Sequence, residues 1–233
     1  FIEKLALQKS DFLIFSSNWA AKHAEDFYQI PKDKIEVIKF GSNTTAPDKI
    51  VEKDYSGEIT FFFFFFLWER KGGQIALDAI KILRDRNYPV KLQVVGCIPP
   101  VEEAEAMNVI PFLNKNNPEE ARQIFNFLQN SHFMFMPTRA DCTPISFCEA
   151  ASYGLPVIST DTGGVAAVVE PGETGILLPL NASAEQYADE IEILIQNPEQ
   201  IRALSQNARE KYEKELNWSV WGEKMSKIIV KFL

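Results

Sequence analysis

The sequence predicts an α/β fold, built as an open parallel sheet with helices on both faces. Short apolar runs alternate with segments of helical periodicity along most of the 233 residues, as they do in βαβ units. Many of the runs lack polar alternation, which is typical of parallel strands buried on both faces. The composition, 46% hydrophobic and 24% charged, is ordinary for a globular protein and argues against global disorder or a coiled coil.

Eight strands are predicted, each with a core of β-branched or aromatic residues. One run is extreme, because the six consecutive residues Phe61–Phe66 are all phenylalanine. That run predicts a fully buried strand, although an aromatic platform and an altered sequence remain alternatives. The predicted strands are Asp11–Ser16, Ile35–Phe40, Ile59–Phe64, Val90–Gly96, Asn108–Leu113, His132–Met136, Pro156–Thr160 and Gly175–Leu178.

Local signals delimit the helices between and after these strands. Ser17 can cap the first helix, and Pro118, followed by two glutamates, suits the first turn of the third. Gly154 is a candidate C-cap for the fourth, and Pro198 separates the fifth from the sixth. The predicted helices are Ser17–Gln29, Gly72–Asn87, Pro118–Asn130, Ser146–Tyr153, Ser183–Gln196, Glu199–Leu216 and Trp218–Leu233.

Charge and cysteine usage limit the classes of function. The net charge of −8 argues against general nucleic-acid binding, which requires many cations to neutralise phosphates. Cys97, Cys142 and Cys148 show no metal-ligand spacing, so we expect buried, reduced thiols in a cytoplasmic protein. No apolar run reaches the roughly 20 residues of a membrane span. The chain begins without Met, from which we expect that it starts inside a longer protein.

The residues most able to carry chemistry lie within Met136–Pro179. A predicted strand leads into a loop that ends with Asp141, and a helix carrying Glu149 follows. Ligands of parallel α/β sheets bind beyond the carboxyl ends of strands, and helix N-termini there favour phosphate. The two carboxylates could accept hydrogen bonds from sugar hydroxyls, and Gly163 and Gly164 allow close backbone approach in the next strand-to-helix loop.

The motif PTRADCTPISFCEA-x₄-GLPVISTDTGG resembles the donor-sugar signature of group 1 (family 4) glycosyltransferases, which have two Rossmann-like domains in the GT-B arrangement. The resemblance implies that Glu149 binds the nucleotide ribose and that Asp141 contacts the donor sugar. It also implies that backbone amides around Thr143, Pro144 and Ile145 hold the donor, except that Pro144 has no N–H to donate.

A second segment, Trp68–Gly73, resembles the Arg/Lys-Gly stretch whose cations contact the donor diphosphate. Arg70 and Lys71 would then stabilise the leaving nucleoside diphosphate, which an enzyme without a metal ion must neutralise with side chains. The sequence has no Asp-x-Asp metal pair near residues 159–162, so we expect no metal site and a metal-independent reaction. No cofactor is expected, because the nucleotide sugar is itself a substrate.

The resemblance covers nearly the whole chain but only about half of a complete enzyme. It implies that residues 1–43 end an N-terminal acceptor domain, that residues 44–216 form the Rossmann-like donor domain, and that residues 217–233 form a helix crossing back. The last helix could pack on its own domain or on a neighbouring one. The expected partners are a nucleotide-sugar donor, an unidentified acceptor (a glycan, a lipid or a small molecule) and the missing N-terminal domain. Association with a membrane surface stays open.

The resemblance further implies a transferase that retains anomeric configuration, acting in polysaccharide biosynthesis. Three departures from the family pattern stand out: Asp141 replaces Glu, Ala167 replaces a Glu that many members carry, and Phe65 or Phe66 replaces a Gly beside the diphosphate. These departures motivate a rival hypothesis, a nucleotide-sugar-binding module without catalysis. A GT-B-fold nucleotide-sugar epimerase is a third hypothesis, against which the presence of only two histidines, His23 and His132, argues.

Overall fold

The structure is a computed structural model that describes residues 2–101 and 106–232. Within these ranges the strands are β1 (Leu13–Phe15), β2 (Ile35–Val37), β3 (Ile59–Phe64), β4 (Val90–Val95), β5 (Met107–Ile110), β6 (Phe133–Met136), β7 (Val157–Thr160) and β8 (Gly175–Leu178). The α-helices are α1 (Ile2–Lys9), α2 (Asn18–Tyr28), α3 (Gly73–Asp85), α4 (Pro118–Asn130), α5 (Ile145–Ser152), α6 (Ala184–Ile195), α7 (Pro198–Glu215) and α8 (Trp218–Ile229).

The main sheet is parallel and has the order β5-β4-β3-β6-β7-β8. The chain moves outward from β3 to β5, crosses back to β6, and moves outward again to β8. The direction of winding therefore reverses between β3 and β6. In open parallel sheets the ligand crevice lies at such a reversal, beyond the carboxyl ends of the strands. The predicted Rossmann-like α/β fold is confirmed, with helices flanking the sheet.

The phenylalanine run forms the centre of the core and then leaves it. Phe61, Phe62 and Phe63 are fully buried in β3, in register with β4 on one side and β6 on the other. The ring of Phe61 stacks on that of Phe133 in β6, with 5.3 Å between the ring centroids. The strand ends at Phe64, so the last two rings of the run lie in the loop that follows it.

The predicted elements are confirmed, with shifted ends. All eight strands form, although β1, β2 and β5 are shorter than predicted. Helix α1 is a helix that the sequence analysis did not predict. The prediction of one helix over Trp218–Leu233 is wrong at its end, because α8 stops at Ile229 and a 3₁₀ turn over Val230–Phe232 follows. Leu233 lies outside the described residues.

Residues before the main sheet form a smaller unit, in which β1 and β2 pair in parallel beside α2. The segment that follows it contacts the C-terminal helix. The Ser42 amide donates to the Leu216 carbonyl over 2.9 Å, and the Trp218 indole N–H donates to the Asn43 side chain over 2.9 Å. Helix α8 therefore packs against the residues that lead from the small unit to the main sheet.

The prediction that all three cysteines are buried is correct for two of them. Cys97 and Cys148 are buried, and burial raises the pKa of these thiols to about 11 and about 12. The expectation of burial is wrong for Cys142, which is exposed in the loop after β6 because that loop lies at the open end of the sheet. Among the described residues, none of the helices combines the length and the apolarity that crossing a bilayer requires.

Candidate active site

Six of the nine predicted site residues line a cleft of about 470 Å³ at the reversal point of the sheet. Its walls come from the loops after β3 and β6, the start of α5, and the loop after β5. Lys71, Asp141 and Glu149 line this cleft together with Lys115, so two cations and two carboxylates share one cavity. The strand order explains why, because β3 and β6 are neighbours and their carboxyl ends meet at the same edge.

Lys71 and Asp141 form an ion pair across the reversal point. Lys71 lies in the turn before α3 and is almost fully buried, with 1% of its surface exposed. Its ammonium donates to the Asp141 carboxylate and also lies 4.0 Å from the centroid of the Phe65 ring. Burial lowers the pKa of Lys71, and the bond and charge of Asp141 counteract that lowering. The pair therefore keeps a buried cation at the end of β3.

Glu149 is a buried carboxylate in the middle of α5, with 2% of its side chain exposed. Its Oε1 atom accepts a hydrogen bond from the Lys115 ammonium over 2.6 Å. Burial raises the pKa of Glu149, while the charge and the hydrogen bond of Lys115 act in the opposite direction. The same ammonium lies 4.9 Å from the centroid of the Phe64 ring.

The segment between the two carboxylates supplies the start of a helix. Pro144 is the N-cap residue of α5, and Ile145 begins the helix, so the first amide groups of α5 lie at the cleft. Thr143 also lines the cleft, but its hydroxyl is shared with Ser16 over 2.8 Å. That bond attaches the loop after β1 to the site.

The two glycines after β7 allow two loops to touch. Gly163 has φ +55°, and a Cβ atom there would lie 2.0 Å from the Asp141 carbonyl oxygen. A Cβ atom on Gly164 would lie 1.6 Å from the Cys142 carbonyl oxygen. The close approach predicted for these glycines is thus an approach to the Asp141–Cys142 backbone. Their role toward a donor stays a prediction.

Arg70 and Gly163 line a second, smaller cleft of about 380 Å³, and Asp141 lines both clefts. Arg70 is exposed, and its guanidinium carbon lies 5.3 Å from the centroid of the Phe65 ring. The structure therefore brings six predicted residues to the main cleft and places Arg70 on the other side of Asp141. The six are Lys71, Asp141, Thr143, Pro144, Ile145 and Glu149.

Sequence reasoning missed Lys115, Phe64 and Ser16 as residues of this site. The signal for Lys115 was present, because it follows β5 and the carboxyl ends of parallel strands share one edge. Ser16 follows β1 in the smaller unit, and no pattern in the letters predicts that it meets Thr143.

An open parallel sheet with cations, carboxylates and a helix start at its reversal point defines an α/β protein of the Rossmann-like class, with a ligand cleft suited to an anion. The family is defined by sequence. The chain belongs to the family described as glycosyl transferases group 1, whose model matches residues 47–211.

Curated relatives agree with this family. The chain is 30% identical over 149 residues to the D-rhamnosyltransferase WbpZ of Pseudomonas aeruginosa, a match that covers 61% of this chain and 37% of that protein. It is 23% identical over 213 residues to the putative colanic acid biosynthesis glycosyltransferase WcaL of Escherichia coli, covering 85% and 52%. The chain spans about half the length of curated relatives such as WcaL.

Solved structures show the same fold at low sequence identity. The Anabaena protein Alr3699/HepE in complex with UDP matches with a TM-score of 0.76 at 18% identity, covering 97% of this chain and 65% of that one. Sucrose-phosphate synthase from Thermosynechococcus elongatus matches with a TM-score of 0.76 at 18% identity, covering 99% and 60%. These likenesses show the GT-B-type fold.

Proposed function

We propose that this chain is the donor-binding half of a glycosyltransferase that moves a sugar from a nucleoside diphosphate to an acceptor. The observation that carries the proposal is the convergence of Lys71, Asp141 and Glu149 on one cleft at the reversal point of the sheet. Family membership and the UDP complex of a protein with the same fold support it. Retention of configuration, independence from metal ions and assignment to family 4 are part of the proposal.

Each charged group has a role that its position supports. The buried ammonium of Lys71, with the first amides of α5, stabilises the negative charge that develops on the departing diphosphate. Arg70 adds a second cation from the neighbouring cleft. Asp141 contacts Lys71 and lines both clefts, which places its carboxylate to accept a hydrogen bond from a hydroxyl of the transferred sugar. Glu149 accepts hydrogen bonds from the ribose hydroxyls.

One observation favours a second candidate, a nucleotide-sugar-binding module without catalysis. The Phe65 ring lies 4.0 Å from the ammonium of Lys71, and Phe65 or Phe66 stands where the family pattern has a Gly. A covered cation stabilises the charge of a leaving group less well than an open one. The two candidates share donor binding and differ in sugar transfer.

Calorimetric titration of the chain with UDP, GDP and ADP tests donor binding. We expect Lys71→Met and Glu149→Gln each to weaken binding about tenfold, because each removes a charged hydrogen-bonding partner of the nucleotide. Lys91→Met is the matched control: Lys91 pairs with Glu58 near the amino end of β4, at the opposite edge of the sheet, and we expect unchanged affinity. Equal affinity in all four proteins would reject the assignment of the site.

Release of nucleoside diphosphate from UDP-glucose and GDP-mannose, measured with and without sugar acceptors on the complete protein that carries this chain, separates the two candidates. Acceptor-dependent release that Asp141→Asn abolishes, with diphosphate affinity kept, supports the transferase. Donor binding without release under any of these conditions supports the binding module.

A further inference from the structure

Glu149 is a carboxylate that cannot hold its charge in this position without a partner. Its side chain is 2% exposed, and isolated charges in such surroundings take up a proton or pair with an opposite charge. The titratable groups around it come from four segments. Lys115 reaches it from the loop after β5, and Lys71 and Asp141 line the same cleft from the loops after β3 and β6. The buried, neutral thiol of Cys148 precedes it on α5, and Tyr153 is the C-cap residue of that helix.

Among these groups Lys115 is the one that pairs with Glu149. Lys71 is directed to Asp141 instead, and burial of Tyr153 raises its pKa to about 12, so its phenol carries no charge near neutrality. The 2.6 Å bond from the Lys115 ammonium to Oε1 is the ion pair that the structure gives Glu149 within the described ranges.

The loop holds Lys115 in place although its side chain is 38% exposed. The Asn116 amide donates to the Asn114 side chain over 2.9 Å, and the Asn114 amide donates to Glu120 on α4 over 2.6 Å. The Lys115 ammonium also lies 4.9 Å from the centroid of the Phe64 ring. A lysine fixed by its own loop, by an aromatic face and by a buried carboxylate differs from a solvated surface lysine, for which pairing contributes little.

We propose that Lys115 is a positioning residue of the donor site, which keeps the Glu149 carboxylate charged and directed into the cleft so that it accepts the ribose hydroxyls. The inference rests on the proposed function, because it takes Glu149 to bind ribose. An ionised carboxylate offers about four acceptor positions, and Lys115 uses one of them at Oε1. The others are left for the vicinal hydroxyls, whereas a protonated carboxyl has fewer acceptors and a competing donor.

The test measures UDP affinity of Lys115→Met and of the unsubstituted chain at several pH values. The quantity compared is the ratio of the two affinities at each pH. The ratio cancels the titration of the diphosphate itself. Without Lys115 the buried carboxyl of Glu149 stays protonated to a higher pH, so we expect binding about tenfold weaker near pH 6 and within about threefold near pH 8.5. Lys115→Gln provides a second uncharged variant should the first not fold.

Three controls isolate the effect. Lys115→Arg keeps the charge, so we expect it to restore the unsubstituted pH profile. Glu149→Gln has no carboxyl to titrate, so we expect weak UDP binding whose ratio to the unsubstituted chain does not change with pH. Adding Lys115→Met to Glu149→Gln should then leave UDP affinity unchanged. With 2′,3′-dideoxy-UDP, which lacks the hydroxyls, the ratio for Lys115→Met should also be flat.

The outcomes distinguish this inference from the proposed function. If UDP, GDP and ADP all fail to bind the unsubstituted chain, both are overturned. If Glu149→Gln binds UDP normally, the ribose role of Glu149 fails and the inference fails with it. If Glu149→Gln weakens binding while Lys115→Met shows a flat ratio near unity, the proposed function stands and the role of Lys115 is overturned.

Discussion

Phe65 contacts the Lys71 ammonium, the cation to which the proposed function assigns the diphosphate. Its ring lies 4.0 Å from the Lys71 ammonium, and it stacks on the exposed Phe66 with 4.4 Å between centroids. A cation against an aromatic face is stabilised by the ring, and Phe65 and Lys71 both line the main cleft. The departure from the family glycine therefore acts on the charge that the proposed reaction needs.

Replacing Phe65 by Ala should expose this ammonium to a diphosphate. We expect UDP to bind about threefold to tenfold more tightly to Phe65→Ala, because a charged hydrogen bond replaces a cation–aromatic contact. Uridine, which has no phosphate, should bind no more tightly, and calorimetry with both ligands measures the difference. Phe66→Ala removes the neighbouring ring, which has no such contact with Lys71, and should leave UDP affinity unchanged. Weaker UDP binding by Phe65→Ala would contradict the idea.

Lys53 is a second buried cation, and it has no role in the site. Its side chain is almost fully buried, and its ammonium has no hydrogen-bond partner among the described residues. Burial lowers the pKa of Lys53 to about 7. The unfolded chain, with an ordinary lysine pKa near 10.4, therefore binds more protons than the folded one between about pH 7 and pH 10. Stability consequently rises with pH across this window.

Lys53→Met should raise the free energy of unfolding and flatten this pH dependence. The gain should be about 2–4 kcal/mol at pH 7 or below, where the penalty is complete, and should shrink toward zero near pH 10. Urea unfolding at several pH values, compared with the unsubstituted chain, measures it. Lys91→Met, at an exposed ion pair, should change stability by less than about 1 kcal/mol. A gain that does not depend on pH would show that Lys53 carries no such penalty.

The elements of the main sheet could be predicted because their signals are local. Apolar runs such as Phe61–Phe63 and Phe133–Met136 form buried parallel strands, which their sequence pattern alone predicts. The predicted cap at Ser17 is confirmed, because its side chain accepts a hydrogen bond from the Ala20 amide at the start of α2. Helix α1 buries no residue, so its sequence carries little signal.

The site was only partly predictable because pairing between loops depends on strand order. Asp141, Glu149 and Lys71 stand in motifs, and their convergence follows once β3 and β6 are neighbours. Lys115 stands in no motif, and its partnership with Glu149 requires the crossing of the chain from β5 to β6. The covering of Lys71 by Phe65 depends on side-chain rotation after the strand ends, which no periodicity encodes.

In the molecule as a whole, several contacts join the small unit and the segment after it to the main sheet and its helices. Ser16 reaches Thr143 at the site, Lys39 pairs with Glu215 on α7, and the segment around Gly41 lies against the start of α8. These contacts couple the geometry of the cleft to the segment that precedes the main sheet. Gly41 leaves no room for a side chain, since a Cβ atom there would lie 2.5 Å from the Trp218 backbone nitrogen.

Gly41→Ala should loosen this connection without unfolding the main sheet. The added methyl group cannot fit beside a backbone atom, so we expect α8 to move away and the bond from the Ser42 amide to Leu216 to break, at a cost of about 2 kcal/mol. Hydrogen exchange should then speed up at Ser42 and at the first turn of α8, while β3 and β6 keep their protection.

Gly222→Ala makes the same change within α8 and is the matched control. A Cβ atom at Gly222 would have no neighbour within 4 Å in the described part of the chain, and alanine favours a helix over glycine by about 1 kcal/mol. Amide hydrogen exchange at Ser42 and in the first turn of α8 should therefore stay the same or slow down in Gly222→Ala. If Gly41→Ala and Gly222→Ala gave the same exchange at Ser42, the contact between Gly41 and Trp218 would not be what holds α8 against the rest of the molecule.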